Sequence, residues 1–353
     1  MARKIRVLIV DDSALIREVL RQGLSADDAI EVLDTASDPY DARNKIVALR
    51  PDVITLDVEM PRMNGVEFLK KLMPQVPTPV VMVSSLTERG AQVTLDALAA
   101  GAVDFVAKPK ADVAQSLNMM MVELRIKVKV AAVANVSHWK RSREELKCEV
   151  SKINYSVDSG KGLHDVIAIG ASTGGTEAIA SVLERLPSTL PGIVIVQHMP
   201  KGFTKLFAER VNKNSNVDVR EAVDGDYVKQ GSCLIAPGGM QMEVVRQGAQ
   251  MQVRVFAANP VNGHMPSVEV MMNSVAKAAK ARAIGVMLTG MGGDGADGLK
   301  AMRDAGARTF AQSEATCVVF GMPKVAWEKG GAEELVDLSF VPDRILALLK
   351  GEK

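Results

Sequence analysis

Two sets of side chains in this sequence could carry chemistry, one in each half. In the first half Asp11 and Asp12 follow one apolar run, Asp57 a second, Ser84 and Ser85 a third, and Lys108-Pro109 a fourth. Clustered carboxylates repel one another unless a cation or a proton neutralises them. A hard divalent ion such as Mg²⁺, keeping some of its waters, suits oxygen ligands of this kind. Carboxylate, hydroxyl, lysine and cation together are what phosphoryl transfer to an aspartate needs, because charge on the transferring group must be stabilised. Any one of these residues alone reads more simply as a solvated loop-end group. The recurrence of acid, hydroxyl and lysine at successive strand ends favours the phosphoryl-transfer reading.

In the second half Gly170-Ala171-Ser172-Thr173-Gly174-Gly175 follows an apolar run and precedes a helical pattern. This G-x-S-x-G fits a nucleophile elbow, where a sharp turn with small neighbours exposes the serine. A glycine-rich loop before a helix could equally bind phosphate. Serine needs a base, and the base needs an orienting acid. His198 closes the next apolar run, and Asp294 lies in Thr289-Gly290-Met291-Gly292-Gly293-Asp294-Gly295, just after another. The backbone N–H of Thr173 is a candidate oxyanion donor. Asp297 is a rival acid, and His264, in the irregular segment Asn262-Gly263-His264-Met265-Pro266, is a rival base. The order Ser…His…Asp differs from the Ser…Asp…His order of α/β-hydrolases, which argues against that fold.

Such residues converge only if strands deliver them to one sheet edge. Residues 1–110 alternate strand-like runs (Ile5–Val10, a weaker Glu31–Leu33, Val53–Leu56, Pro79–Val83, Val103–Val106) with helical patterns (Ala14–Gly23, Asp41–Leu49, Gly65–Met73, Ala91–Ala100). This predicts a parallel sheet covered on both faces, in the flavodoxin-like order 2-1-3-4-5. In that order the strands before Asp11 and Asp57 are neighbours. A helical stretch follows from Ala111 to Val136, with Leu117, Met121, Leu124 and Val128 on one face. The charged segment Ser137–Gly162 reads as an interdomain linker, helical in part. A second alternating region begins at Asp165–Ile169 and continues through Ile193–Val196 and Ile284–Leu288, while Met242–Arg246 and Met251–Val255 flank Gln247-Gly248 as a hairpin. The fold class expected is therefore α/β: a flavodoxin-like domain plus a second doubly wound, mostly parallel α/β domain with an antiparallel hairpin.

Composition sets the broad class. The chain has 353 residues, 47% hydrophobic and 24% charged, with a formal net charge of +1. It is long enough for two domains, and no global field draws it to nucleic acid or an anionic membrane. No apolar run approaches the roughly 18 residues of a membrane span. The three cysteines, Cys148, Cys233 and Cys317, form no metal-binding pair and suit a reducing compartment, so a cytoplasmic location is expected. A transcriptional role would need a compact basic helix-turn-helix region, which the second half lacks. A nonenzymatic signalling adaptor is the remaining alternative.

Residues 4–125 resemble a response-regulator receiver domain. The resemblance assigns Asp11 and Asp12 to Mg²⁺, with the backbone carbonyl of Glu59 completing the shell. It makes Asp57 the phosphoacceptor and third carboxylate ligand, Ser84 the switch hydroxyl, Phe105 the switch aromatic and Lys108 the phosphate partner. It also implies a cis Lys108–Pro109 bond. Residues 163–350 resemble the catalytic domain of the chemotaxis protein-glutamate methylesterases, through Ile169–Glu177, Val196–Phe203, Gly285–Gly295 and Ser313–Pro323. The chain departs from better-known members in Gly293, where a polar residue usually precedes the aspartate, and in a shorter, proline-poor linker. The resemblance carries the triad onto Ser172, His198 and Asp294, adds Met291 as a second oxyanion donor, and calls for no cofactor in the hydrolase site. It implies hydrolysis of glutamate γ-methyl esters and deamidation of glutamine on chemotaxis receptors, with a chemotaxis histidine kinase as phosphodonor. The domains expected are a receiver over 1–125, a linker over 126–162 and a catalytic domain over 163–353.

Overall fold

The computed structural model describes residues 3–85, 87–108, 114–137 and 164–351. The Lys108–Pro109 bond and most of the anticipated linker, with His138 and Cys148, lie outside the described residues. The chain divides into two compact units, Met1–Cys148 and Glu149–Lys353.

The first unit runs β1 (Ile5–Val10), α1 (Ala14–Ser25), β2 (Ile30–Ala36), α2 (Pro39–Leu49), β3 (Val53–Asp57), α3 (Gly65–Leu72), β4 (Val80–Ser85), α4 (Glu88–Ala99), β5 (Asp104–Lys108) and α5 (Ala114–Ala131). Its five strands are parallel and ordered β2-β1-β3-β4-β5. Val7, Leu8 and Ile9 of β1 and Val53, Ile54 and Leu56 of β3 are wholly buried, as continuous apolar strands must be under two layers of helices. The starts of α1 to α4 are each fixed by a short polar side chain accepting from the first turn: Ser13, Asp38, Asn64 and Thr87. Two details correct the sequence reading. Asp57, Ser84, Ser85 and Lys108 end their strands rather than follow them, because the ladder extends through Asp57↔Val83 and Ser85↔Lys108. Strand β2 is also longer than Glu31–Leu33. It lies at the sheet edge and is only partly buried, so its polar residues obscured it.

The second unit contains β6 (Val166–Ala171), α6 (Gly175–Glu184), β7 (Gly192–Gln197), α7 (Phe203–Asn212), β8 (Asp218–Glu221), β9 (Ser232–Ile235), β10 (Gln241–Gln247), β11 (Gln250–Phe256), α8 (Val268–Ala279), β12 (Ala283–Met287), α9 (Ala296–Asp304), β13 (Arg308–Gln312), α10 (Met322–Glu328), β14 (Leu335–Val336) and α11 (Val341–Leu349). A seven-stranded sheet has the order β14-β13-β12-β6-β7-β9-β8, and each of its pairs is parallel. The chain builds one side from β6 through β7 to β8 and β9, then crosses to β12. The switch point lies between β6 and β12, where open α/β sheets place their sites. The hairpin β10-β11 forms its own sheet. It packs on α8 through Val244 and Val253, and the Val244 N–H donates to Ser274 Oγ at 2.8 Å. Among the described residues no helix is long and apolar enough to cross a membrane.

Candidate active site

Ser172 is the first residue beyond β6, and His198 the first beyond the neighbouring β7. Their strands are in register at Ala171↔Gln197, so the two residues sit on adjacent strand ends about 5 Å apart across the sheet. The His198 N–H donates to Ala171 O at 3.1 Å, and the Ser172 N–H donates across the switch point to Thr289 O at 3.0 Å. Ser172 is thus fastened to the strand end on either side. The turn beyond it closes with the Gly175 N–H on Ser172 O at 2.7 Å. Gly174 has φ +77, the left-handed region that glycine enters without steric cost.

Asp294 lies in the loop after β12. Its Oδ2 is 2.9 Å from His198 Nε2 and accepts the Val268 N–H at 2.7 Å. Its Oδ1 accepts from Asn262 Nδ2 at 2.9 Å and Ser267 Oγ at 2.8 Å. Burial alone would raise this carboxyl, but the bonds from His198, Asn262 and Ser267 outweigh it and hold the group at about 2. Asp294 is therefore an anion across the ordinary pH range, and the ring nitrogen facing it carries the hydrogen. The tautomer follows: Nε2–H donates to Asp294, and Nδ1 bears the lone pair. Nδ1 is buried and has no hydrogen-bond partner among the described residues, so Ser172 Oγ is not bonded to it in the resting structure. Catalytic hydrogen bonds often tighten only when substrate arrives.

Of the two rival candidates one lies apart from this cluster and the other lies against it. Asp297 is exposed in the first turn of α9 and pairs with Lys329 Nζ at 2.7 Å. His264 stacks on His198, with ring centroids 3.7 Å apart and planes 8° from parallel. Thr173 follows the serine directly and is buried. Met291 is two residues beyond Thr289, the residue that accepts the Ser172 N–H, and its side chain is exposed. Thr173 thus adjoins Ser172 in the chain, and Met291 adjoins Gly290, which lies against Ser172.

Gly290 allows the close approach. A Cβ there would stand 2.8 Å from Ser172 Cβ and 2.4 Å from Met322 Sδ. Gly290→Ala should push the serine off its position and reduce kcat by about 10²-fold, the loss that a misplacement near 1 Å can cause, with the circular dichroism spectrum unchanged. A variant within twofold of the parent would show that this approach has no catalytic importance.

Sequence reasoning missed Asn262, Ser267 and the Val268 N–H, which position Asp294. Asn262-Gly263 is a strong turn signal, and it does connect Val261 to His264 in an antiparallel bridge. The start of α8 is wedged in place because Val268 fills the space that a Cβ at Gly170 or Gly295 would occupy, each at 2.3 Å.

The first unit gathers its own predicted residues. Ligand oxygens of Asp11, Asp12 and Asp57 lie within 4.8 Å of one another. Lys108 Nζ is 3.0 Å from Asp11 Oδ2 and 2.9 Å from Asp57 Oδ1. Burial pushes the Asp57 carboxyl up to about 6, with Lys108 opposing and the Asp11 charge adding. Three carboxylates beside one lysine retain excess negative charge, so the donor set fits a hard cation. The Glu59 backbone N–H bonds the Asp57 carboxyl. Ser84 Oγ is buried, 2.7 Å from Thr94 Oγ1 and 3.3 Å from Gly90 O, on the first turns of α4. Phe105 is buried, and Lys127 Nζ is 5.1 Å from its ring centroid. Arg17, unremarked in the sequence, donates to the carbonyls of Asp11 and Asp12 at 2.8 and 2.9 Å and braces the acidic loop.

Comparison with known proteins gives concordant matches. The family model described as CheB methylesterase matches residues 167–345, and that of the response regulator receiver domain matches residues 7–118. A protein-glutamate methylesterase/protein-glutamine glutaminase of Syntrophotalea carbinolica is 59% identical over 349 residues, 99% of either chain. One of the same name from Sulfurimonas denitrificans is 50% identical over 353 residues, again 99% of either. The crystal structure of the Thermotoga maritima CheB methylesterase catalytic domain is 35% identical, covers 52% of this chain and 98% of its own, and superposes with a TM-score of 0.51.

Proposed function

This chain belongs to the CheB methylesterase family, and from that membership and the geometry of the second unit we propose acyl transfer from glutamate γ-methyl esters to Ser172. The bond between His198 Nε2 and Asp294 carries the proposal, because it leaves Nδ1 as the basic nitrogen, on a residue whose strand end neighbours that of Ser172. When substrate is bound, Ser172 Oγ meets Nδ1, as catalytic hydrogen bonds that are open at rest commonly do. Oγ attacks the side-chain carbonyl and Nδ1 takes its proton, while the N–H groups of Thr173 and Met291 receive the oxyanion. Nδ1 then gives the proton to departing methanol. Water, deprotonated at the same nitrogen, releases glutamate and restores the serine. Deamidation of glutamine follows the same course with ammonia as leaving group. The substrates are chemotaxis receptors, so the enzyme resets receptor signalling in adaptation. It works in the cytoplasm, in keeping with Cys233 and Cys317, both buried free thiols.

The receiver gives control by phosphorylation. Asp57 is the acceptor and a chemotaxis histidine kinase the donor. Asp11, Asp12 and Asp57, with the Glu59 carbonyl, would hold Mg²⁺. When bound there, Mg²⁺ supplies positive charge to the phosphoryl oxygens. Lys108, already on Asp57, shares that task. A phosphoryl group at Asp57 brings new acceptor oxygens, drawing Ser84 from α4 and shifting Phe105. We assign residues 1–125 to this receiver, 126–162 to the linker and 163–353 to the hydrolase. The unphosphorylated receiver restrains the serine site. Methanol release from methylated receptor membranes should therefore rise on adding a phosphodonor, and Asp57→Asn should abolish that rise. Equal stimulation of the Asp57→Asn variant would refute this control.

A further inference from the structure

We propose that His264 is a positioning residue for the hydrolase: a flat plate that sets the plane of the His198 imidazole and so aims Nδ1 at the serine. The inference rests on the triad reading above and deepens it. The bond from His198 Nε2 to Asp294 Oδ2 at 2.9 Å fixes one corner of the ring. It leaves the ring free to tilt about that contact, and a tilt swings Nδ1, the opposite corner, away from the line of proton transfer. A parallel surface against the ring face removes this freedom. The His264 ring supplies it, at a centroid distance of 3.7 Å and an interplanar angle of 8°.

A plate is useful only if it is itself held. His264 exchanges backbone hydrogen bonds with Val261 at 3.0 and 2.9 Å. Between them Asn262 and Gly263 have φ +52 and +81, the signs that a tight type I′ connection demands. The His264 carbonyl accepts from Gln241 Nε2 at 3.1 Å. Gln241 is buried, and its Oε1 takes the Ser267 N–H at 2.8 Å. The same turn sends Asn262 Nδ2 to Asp294. One two-residue turn thereby grips both partners of the base: the acid through Asn262 and the ring through His264. When His198 takes the serine proton, the π face of His264 also meets the new positive charge. A ring lying parallel to its neighbour presents a face to it, so His264 acts through His198 and exchanges no proton with it.

The test is steady-state methanol release from methylated receptor membranes by the full chain carrying His264→Ala, His264→Phe or His198→Ala, with thermal midpoints measured alongside. His264→Ala should lower kcat by about 10- to 100-fold, the scale of a small misplacement, with KM within about twofold. His264→Phe keeps the flat face without the nitrogens and should restore kcat to within about fivefold of the parent. If His264→Ala does not fold, His264→Leu, of similar bulk but without a flat face, replaces it and should show the same deficit. A phenylalanine variant as impaired as the alanine variant would overturn the proposal and make a ring nitrogen of His264 the working group. An alanine variant with unchanged kcat, or with the loss confined to KM, would also overturn it. Full activity in His198→Ala would instead sink the triad reading, whatever His264 does.

Discussion

Ser172→Ala should reduce methanol release from methylated receptor membranes by about 10⁴- to 10⁶-fold, the scale seen when the nucleophile of a serine hydrolase is removed. The side chain lost is one hydroxyl. Its backbone bonds, the N–H on Thr289 O and the carbonyl under Gln197 Nε2 at 2.9 Å, survive the substitution, so the turn and both strand ends should keep their places. Any residual rate comes from binding and from the oxyanion donors, which need no hydroxyl. Ammonia release from receptor glutamine should fall by the same factor, since both reactions pass through one acyl-serine. Methanol release that persists while ammonia release disappears would separate the two activities and contradict a shared nucleophile.

Asp294→Asn should lower kcat by about 10⁴-fold, as expected when the base is held in the wrong tautomer. The carboxylate accepts four hydrogen bonds, from His198, Asn262, Ser267 and Val268. An amide has one accepting oxygen. Its NH₂ group must face some of those donors, and if it faces His198 it drives the ring hydrogen onto Nδ1 and removes the base. Stability should fall too, and the sign of its pH dependence is fixed. The folded-state value near 2 lies below the ordinary 3.8, so the stabilisation is present above pH 3.8 and is lost as pH falls toward 2. The difference corresponds to about 2 kcal/mol. The gap in denaturant midpoint between parent and Asp294→Asn should be constant from pH 5 to 8 and narrow below about pH 3.8. A gap that widens on acidification would mean that Asp294 is not the buried anion described.

Much of the site was legible because strand ends concentrate chemistry. Val7–Val10 and Ile167–Ile169 are unbroken apolar runs whose burial on both faces is nearly forced, and the polar residue that ends each run must stand at the sheet edge. Asp11, Ser172 and His198 could be picked out for that reason. Strands β8, β9 and β14 were not legible. They are two to four residues long, too short for a period to show, and in β8 Arg220 and Glu221 interrupt the apolar run as well. The supports of Asp294 were hidden for a different reason. Asn262 and Ser267 act through a tight turn and a helix start that reach back across the sheet, and no periodicity signals such a contact. His264 could be named as a candidate, but only coordinates show its ring lying flat on His198.

Mapping a fluorophosphonate adduct by mass spectrometry tests most directly whether hydroxyl, imidazole and carboxylate work together. A single adduct on Ser172 is expected, formed at a rate that drops at least about 10²-fold in His198→Ala and in Asp294→Ala. An adduct on another serine, or labelling of Ser172 at the same rate in all three proteins, would contradict their convergence.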